Sequence, residues 1–151
     1  MTVPSNVDRD GARLVIRREF AAPPEAVFDA WCNPQLLAKW MGPAGGWSNP
    51  NIEIDLRVGG RYAITMREPG GADHFVSGEY LEIARPSRLV FTWAWRATPD
   101  AVSQVTVEII AKSKRWSVMV LTHDRIAGPA VRDRHAQGWQ GCLDRLERAF
   151  T

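Results

Sequence analysis

The stretch PAVRDRHAQGWQGCLDRLERAF, residues 129–150, decides the fold of this chain. Its apolar residues recur at steps of three and four, which predicts one long amphipathic helix with a continuous apolar face. Pro129 is well suited to the first turn of a helix, and Arg, Asp and Gln residues fill the opposite face. The residues that share the apolar face are Val131, His135, Trp139, Cys142, Leu143, Leu146 and Phe150.

Two glycines, Gly138 and Gly141, bracket Trp139 inside this predicted helix. Each glycine in a helix interior costs about 1 kcal/mol relative to alanine. Two such losses beside a bulky indole indicate that another backbone comes close to the helix at this point. The alternative is a plain surface helix that tolerates both glycines.

The composition is that of an ordinary globular domain. The chain has 151 residues, of which 45% are hydrophobic and 24% are charged, and this length is sufficient for one sizeable core. We therefore expect a single domain over residues 1–151, with residues 1–11 as a loose N-terminal leader. The net charge of +2 is low, and the arginines are scattered, so the charge does not indicate nucleic-acid binding. Seven tryptophans are many for this length, and several are expected to line a cavity.

The sequence carries no metal-binding, cofactor-binding or targeting pattern. Cys32 and Cys142 lie far apart, and no spacing indicates a metal site or a Gly-rich phosphate loop, so neither a metal nor a cofactor is expected. The N-terminus does not resemble a signal peptide, and no stretch approaches the ~20 apolar residues of a membrane span. The expected location is the cytoplasm, where both thiols stay reduced.

Alternating apolar and polar residues mark a succession of strands ahead of the long helix. The first strand covers residues 13–20, and Pro24 and Asn33-Pro34 then begin two short helices. About six strands follow, separated by Gly and Pro turns, which is typical of an antiparallel meander. The sequence therefore predicts an α+β fold in which a curved antiparallel sheet grips the C-terminal helix. The space between sheet, long helix and short helices is the expected pocket.

Several motifs, taken in their order along the chain, resemble one family. From residue 14 to residue 150 they are similar to bacterial START-like proteins of the SRPBCC, or Bet v 1-type, superfamily, related to the C-terminal domain of the activator of heat-shock-protein-90 ATPase. The family usually has a second Trp where Met41 stands, and this difference lies at the expected rim of the pocket. The motifs are WMGP at 40–43, RVGGRY at 57–62, GEYLEI at 78–83, RLVFTW at 88–93, LTH at 121–123 and GW at 138–139.

The resemblance implies the helix-grip fold and a hydrophobic cavity, which in relatives holds lipids, polyketides or other apolar molecules. It offers no shared catalytic triad or metal motif, so any chemistry has to be argued from the residues themselves. For any one aromatic residue near the cavity, plain core packing is at least as good an explanation. The residues expected around the cavity are Trp31, Trp40, Tyr62, Met66, Phe91, Trp93, Leu121, His123, His135 and Trp139.

His123 and His135 are the candidate catalytic residues. Strand alternation places His123 on one face with Leu121, and helical spacing places His135 on the stripe of Trp139. If both faces point inward, the two imidazoles meet in one apolar space, where they suit acid–base work or hydrogen bonding to a ligand. The alternative, which we favour, is two structural histidines bonded to backbone or to a neighbouring side chain. His74 is expected to be exposed.

Three functions remain open on the sequence. The preferred one is the binding of a small hydrophobic ligand by a carrier or sensor. The second is a cyclase- or hydrolase-type enzyme that uses His123 and His135 as acid and base. The third is a chaperone-associated interaction module, which ranks last because the additional N-terminal domain of the heat-shock activator is not expected in this chain. Homodimerisation is left open.

Overall fold

The computed structural model describes residues 6–151, with side chains from residue 11 onward. Its helices are α1 (Pro24–Cys32), α2 (Pro34–Leu37) and α3 (Pro129–Ala149). Its strands are β1 (Asn6–Asp10), β2 (Arg13–Phe20), β3 (Ser48–Ile54), β4 (Arg61–Arg67), β5 (Asp73–Ala84), β6 (Arg88–Trp95), β7 (Ser103–Ser113) and β8 (Trp116–Asp124). The strands form one antiparallel sheet in the spatial order β1-β2-β8-β7-β6-β5-β4-β3.

This element order confirms the predicted α+β helix-grip architecture. Strand β2 precedes the two short helices, the meander β3 to β8 follows them, and α3 comes last. The meander joins the N-terminal hairpin where β8 pairs with β2, with Leu121 opposite Ile16. In the described part of the chain, no helix combines the length and the apolar character needed to cross a bilayer.

The expected loose leader is wrong over its second half. Residues 6–10 form β1, which pairs with β2 so that Asn6 lies opposite Arg17 and Asp10 lies opposite Arg13. The sequence of this strand, NVDRD, has a single apolar residue, so no alternation marks it. Its pairing depends on backbone hydrogen bonds, which a hydrophobicity pattern does not report. Residues 1–5 of the predicted leader lie outside the described part of the chain.

The sheet and α3 bury their apolar faces against each other. The helix buries Ala136, Trp139, Cys142, Leu143 and Leu146, as its periodicity predicts for four of them. Full burial of one large apolar side chain stabilises a fold by roughly 1.5–3 kcal/mol. The facing strands contribute side chains with no exposed surface, namely Leu14, Ile16, Val105, Val107, Met119 and Leu121.

One charged side chain also lies on the inward face of β2. Arg18 is 8% exposed, and its Nη1 donates a hydrogen bond to Oδ1 of Asp144 on α3 at 2.7 Å. A buried guanidinium needs such a partner, because an unpaired charge is expensive to remove from water. This bond ties the second half of α3 to the edge of the sheet near β1.

The two glycines of α3 have different surroundings. A Cβ atom on Gly141 would lie 1.8 Å from the carbonyl oxygen of Pro43, so the loop after α2 packs directly against the helix at this point. A Cβ atom on Gly138 would meet nothing within 4 Å. The prediction of a close backbone is therefore confirmed at Gly141 and wrong at Gly138, where the helix faces open space.

Candidate functional site

A pocket of about 400 Å³ lies between the first half of α3, the loop after α2, and the strands β4, β5 and β6. This volume is within the range of small-molecule sites, which is roughly 300–1,000 Å³. The helix supplies a stripe of side chains at positions that repeat every three to four residues. The pocket is lined by Met41, Pro43, Trp47, Met66, His74, Trp93, Trp95, Arg134, His135, Gly138, Trp139 and Cys142.

Tryptophan side chains dominate the pocket wall. The ring of Trp93 lies 5.0 Å from that of Trp139 and 5.5 Å from that of Trp95, between centroids. Trp47 closes the rim from the loop, with its ring 5.6 Å from that of His74. No carboxylate is among the lining residues. Such a wall favours an apolar or aromatic guest.

The neighbouring space towards α1 is filled rather than open. A cavity of only about 20 Å³ remains there, lined in part by Trp31, Tyr62 and Phe91. The ring of Trp31 is 5.7 Å from that of Trp139, and the ring of Tyr62 is 5.4 Å from that of Phe91. A space of that size holds about one water molecule and no larger guest. This half of the interior is therefore ordinary core.

Seven of the ten expected cavity residues line one of these two spaces. Met66, Trp93, His135 and Trp139 line the open pocket. Trp31, Tyr62 and Phe91 line the small cavity, which Trp93 also borders.

The remaining expected residues, Trp40, Leu121 and His123, line neither space. Trp40 is 1% exposed and donates its indole N–H to the carbonyl oxygen of Ala30 at 3.0 Å. Leu121 is completely buried. For Trp40 and Leu121 the geometry agrees with plain core packing.

Some pocket residues were not predicted from the sequence, although a sequence feature marked their position near the pocket. Trp95 shares the inward face of β6 with Trp93 by strand alternation. Cys142 was already on the apolar stripe of the helix. Trp47 belongs to the Gly-rich loop after α2. Arg134 had no such signal, because helical spacing assigned it to the polar face.

His123 is fully buried in a chain of hydrogen bonds. The indole N–H of Trp139 donates to Nδ1 of His123 at 3.0 Å, so the proton of the neutral ring lies on Nε2. That Nε2–H donates to Oγ of Ser103 at 2.7 Å, and the Ser103 hydroxyl donates to the carbonyl oxygen of Trp93 at 3.1 Å. Burial, with a smaller contribution from His135, lowers the pKa of His123 to about 3.

His135 has a parallel arrangement on the pocket wall. The indole N–H of Trp95 donates to Nε2 of His135 at 3.1 Å. The Nδ1–H of His135 donates to the carbonyl oxygen of Val131 at 2.8 Å. Burial lowers the pKa of His135, the bond to Val131 opposes that shift, and the positive charge of Arg134 adds to it. The two imidazole rings meet edge to face, with centroids 4.9 Å apart.

All four ring nitrogens of His123 and His135 are therefore engaged within the protein. A general acid or base needs a nitrogen within hydrogen-bond reach of its substrate. Proton transfer through either ring would first require one of these bonds to break. The geometry is that of two structural histidines, each held by a tryptophan.

The cysteine on the pocket wall is a poor nucleophile. Burial raises the pKa of Cys142 to about 11, and its Sγ accepts a hydrogen bond from the backbone N–H of Gly42 at 3.2 Å. Thiol reactivity depends on the thiolate, which is scarce at neutral pH for such a group. Over the described residues, no three His, Cys, Asp or Glu side chains are grouped so as to hold a metal ion.

The fold and its pocket define a START-like protein of the helix-grip class, with a cavity beneath the long C-terminal helix. Within that class, the family described as Activator of Hsp90 ATPase homolog 1-like protein (AHSA1) matches residues 21–151. The chain belongs to this family. The match covers everything from the end of β2 to the last residue.

Solved structures agree with this assignment. An HSP90 activator from Plasmodium falciparum is 28% identical, with a TM-score of 0.73 over 91% of this chain and 95% of that chain. An AHSA1 protein from Silicibacter pomeroyi is 27% identical, with a TM-score of 0.80 over 91% and 96%. A protein from Chromobacterium violaceum is 27% identical, with a TM-score of 0.78 over 94% and 98%. Among curated proteins, no match was found.

Proposed function

We propose that this protein binds a small hydrophobic molecule in the pocket beneath α3, as a carrier or sensor. The observation behind the proposal is a space of about 400 Å³ whose wall is mainly aromatic and apolar and contains no carboxylate. A cytoplasmic setting agrees with two cysteines that are both free and buried.

The pocket is large enough for useful affinity from burial alone. A guest that buries roughly 300 Å² of apolar surface gains about 7 kcal/mol at ~25 cal/mol per Å². Immobilising the guest and ordering the side chains around it offsets part of this gain. Dissociation constants between about 10 μM and 1 mM are therefore expected for a simple apolar probe.

Gly138 gives a direct way to test the pocket. It lies between Arg134 and Cys142 at four-residue steps on α3, and all three residues line the pocket. A side chain at position 138 would project into the open space, since a Cβ atom there meets no neighbour within 4 Å. Gly138→Leu should therefore weaken binding of the neutral probe N-phenyl-1-naphthylamine by at least about tenfold, which corresponds to about 1.4 kcal/mol.

Gln137→Leu is the matched control, because it adds the same side chain to the adjacent, exposed helix position outside the pocket. Fluorescence titration should show wild-type affinity for this control and lost affinity for Gly138→Leu. The melting temperature of Gly138→Leu should be unchanged or higher, since leucine favours a helix more than glycine does. Equal probe affinity in wild type and Gly138→Leu would show that the pocket is not the binding site.

A second candidate function is contact with the ninety-kilodalton heat-shock chaperone. It is favoured by the family description and by the Plasmodium falciparum neighbour, which is called an HSP90 activator. The test is the ATPase rate of the purified chaperone with and without this protein. A rate that stays at its basal value at saturating protein would remove this candidate, whereas the pocket proposal would be unaffected.

A further inference from the structure

The pocket is apolar but not electrically neutral at its edge. Among its lining residues, Arg134 is the one Asp, Glu, Lys or Arg side chain. Its guanidinium is permanently charged. Its charge also acts on the wall itself, because it contributes to the lowered pKa of the adjacent His135.

Other arginines of α3 are already used to hold the fold. Arg132 contacts the carboxylate of Asp133 at 3.2 Å and donates to the carbonyl oxygen of Gly11 at 3.0 Å. Arg145 donates to the carbonyl oxygens of Met41 and Lys39, at 3.1 and 3.2 Å. These side chains have structural partners, so they are not available to a guest.

Arg134 differs from them. It is exposed, and within residues 11–151 no carboxylate or carbonyl oxygen bonds to its side chain. The other ionisable group on the rim, His74, faces Glu68 with Nε2 and Oε2 3.4 Å apart. Within residues 11–151, a fixed positive charge therefore stands at the mouth of an aromatic pocket with no carboxylate bonded to it.

We propose that the natural guest is an anionic amphiphile, whose apolar body occupies the pocket and whose carboxylate, sulfonate or phosphate group binds Arg134 at the mouth. This inference rests on the proposed function and names its ligand class. A guanidinium pairs well with such groups because two N–H donors reach two oxygens at once. The anion stays at the rim in contact with water, so it avoids the desolvation that full burial of a charge would require.

Two probes that share one apolar body test the proposal. 1-Anilinonaphthalene-8-sulfonate carries a sulfonate, and N-phenyl-1-naphthylamine is its uncharged counterpart. Arg134→Gln should weaken the sulfonate probe about fivefold to tenfold, as expected for loss of a charge-assisted bond in a partly exposed site. It should change the affinity of the uncharged probe by less than about twofold. Arg134→Lys should restore part of the sulfonate affinity, because the positive charge returns without the bidentate geometry.

Arg148→Gln is the matched control. It removes the same charge from an exposed position on the last turn of α3, away from the pocket. It should leave both affinities at wild-type values. An equal loss of sulfonate affinity in Arg148→Gln would attribute the effect to the net charge of the protein and would contradict a specific bond to Arg134. Unchanged sulfonate affinity in Arg134→Gln would overturn the proposal directly.

Displacement experiments extend the test to acids with an alkyl or an aromatic apolar body. Decanoate and 1-naphthoate should each displace the uncharged probe from wild type more strongly than decanol and 2-naphthol do, respectively, and Arg134→Gln should remove that difference. Failure of every acid to outperform its uncharged counterpart would overturn the ligand class while leaving the pocket proposal intact. Failure of both probes to bind wild type would instead end the pocket proposal and the inference with it.

Discussion

The interior beneath α3 has two halves that are built from the same kinds of residue and differ in how completely they are filled. Towards α1, the rings of Trp31, Tyr62 and Phe91 pack so closely that only about 20 Å³ remains. Towards the loop after α2, Trp47 and Trp95 stand apart around about 400 Å³. An excess of aromatic residues therefore indicates neither a core nor a cavity by itself. In the filled half each ring packs against another ring, and this packing decides between the two.

The largest expected effect on the free energy of unfolding comes from truncating a side chain in the filled half. Trp31→Ala removes a side chain that is 4% exposed and should lower the free energy of unfolding by about 3–5 kcal/mol. Trp47→Ala removes a half-buried side chain at the pocket rim and should lower it by about 1 kcal/mol or less. Urea denaturation of both variants measures the difference. Similar losses for the two would contradict the contrast between a filled and an open half.

The next largest effect concerns the helix where the loop touches it. Gly141→Ala places a Cβ atom 1.8 Å from the Pro43 carbonyl oxygen, which forces the loop or the helix to move. Overpacking of this kind costs about 1–3 kcal/mol. The melting temperature should therefore fall clearly. A variant as stable as wild type would show that the loop does not lie against α3.

A pH effect of about 2 kcal/mol on the free energy of unfolding is expected from His123, which is fully buried between the sheet and α3. Its pKa is about 3 in the folded protein and 6.5 as the reference value, so the unfolded chain binds a proton first as the pH falls. Stability is then fully present above about pH 6.5 and is lost progressively down to about pH 3. At about 1.36 kcal/mol per unit, moving from pH 7 to pH 5 removes about 2 kcal/mol. The lowered pKa of His135 adds a loss of the same sign.

Substitution separates this contribution from that of the carboxylates. His123→Gln should reduce the pH 7 to pH 5 difference in unfolding free energy by about 2 kcal/mol, even though the variant starts from a lower stability. His74→Gln, at the exposed rim, is the control and should keep the wild-type difference. If both variants kept it, the buried imidazole would not be the source of the acid sensitivity.

The smallest effect is a gain at the open side. Gly138→Ala should raise the free energy of unfolding by up to about 1 kcal/mol, because alanine favours a helix and a Cβ atom meets no neighbour there. The same substitution should therefore raise the free energy of unfolding at Gly138 and lower it at Gly141, within one turn of α3. A loss of stability at Gly138 would mean that the space beside it is closed in solution.

Much of the fold follows from the sequence, because strand alternation and helical periodicity both record which faces are buried. Strand β2 and helix α3 were predicted within one residue of their ends for this reason. Strand β1 was not, since NVDRD has no alternating face, and a hydrophobicity pattern does not report its backbone pairing with β2. Asn33-Pro34 was predicted to begin the second short helix, and the Asn33 side-chain oxygen caps that helix by accepting from the backbone N–H of Gln35 at 2.9 Å.

The site was less predictable than the fold. Periodicity shows that Trp31 and Trp93 point inward, but it does not show what lies opposite each ring. Gly138 and Gly141 are equivalent as sequence features, and only the position of the Pro43 backbone separates them. Arg134 lies at the edge of the apolar stripe of α3. A polar residue at such a position is expected at a pocket rim and on ordinary surface alike, so the sequence does not distinguish them.

The attachment of the loop after α2 has a kinetic consequence. Arg145 holds the carbonyl oxygens of Lys39 and Met41, and Gly141 lets Pro43 rest on the helix, so this side of the mouth moves only when α3 moves. Admission of the proposed guest would then depend on rotation of a partly exposed side chain at the rim, the indole of Trp47. Side-chain rotations of this kind take picoseconds to nanoseconds, far less than hinge motions of whole segments. The residence time of the proposed guest would therefore be set by its affinity for the pocket, and not by a slow opening motion of the loop.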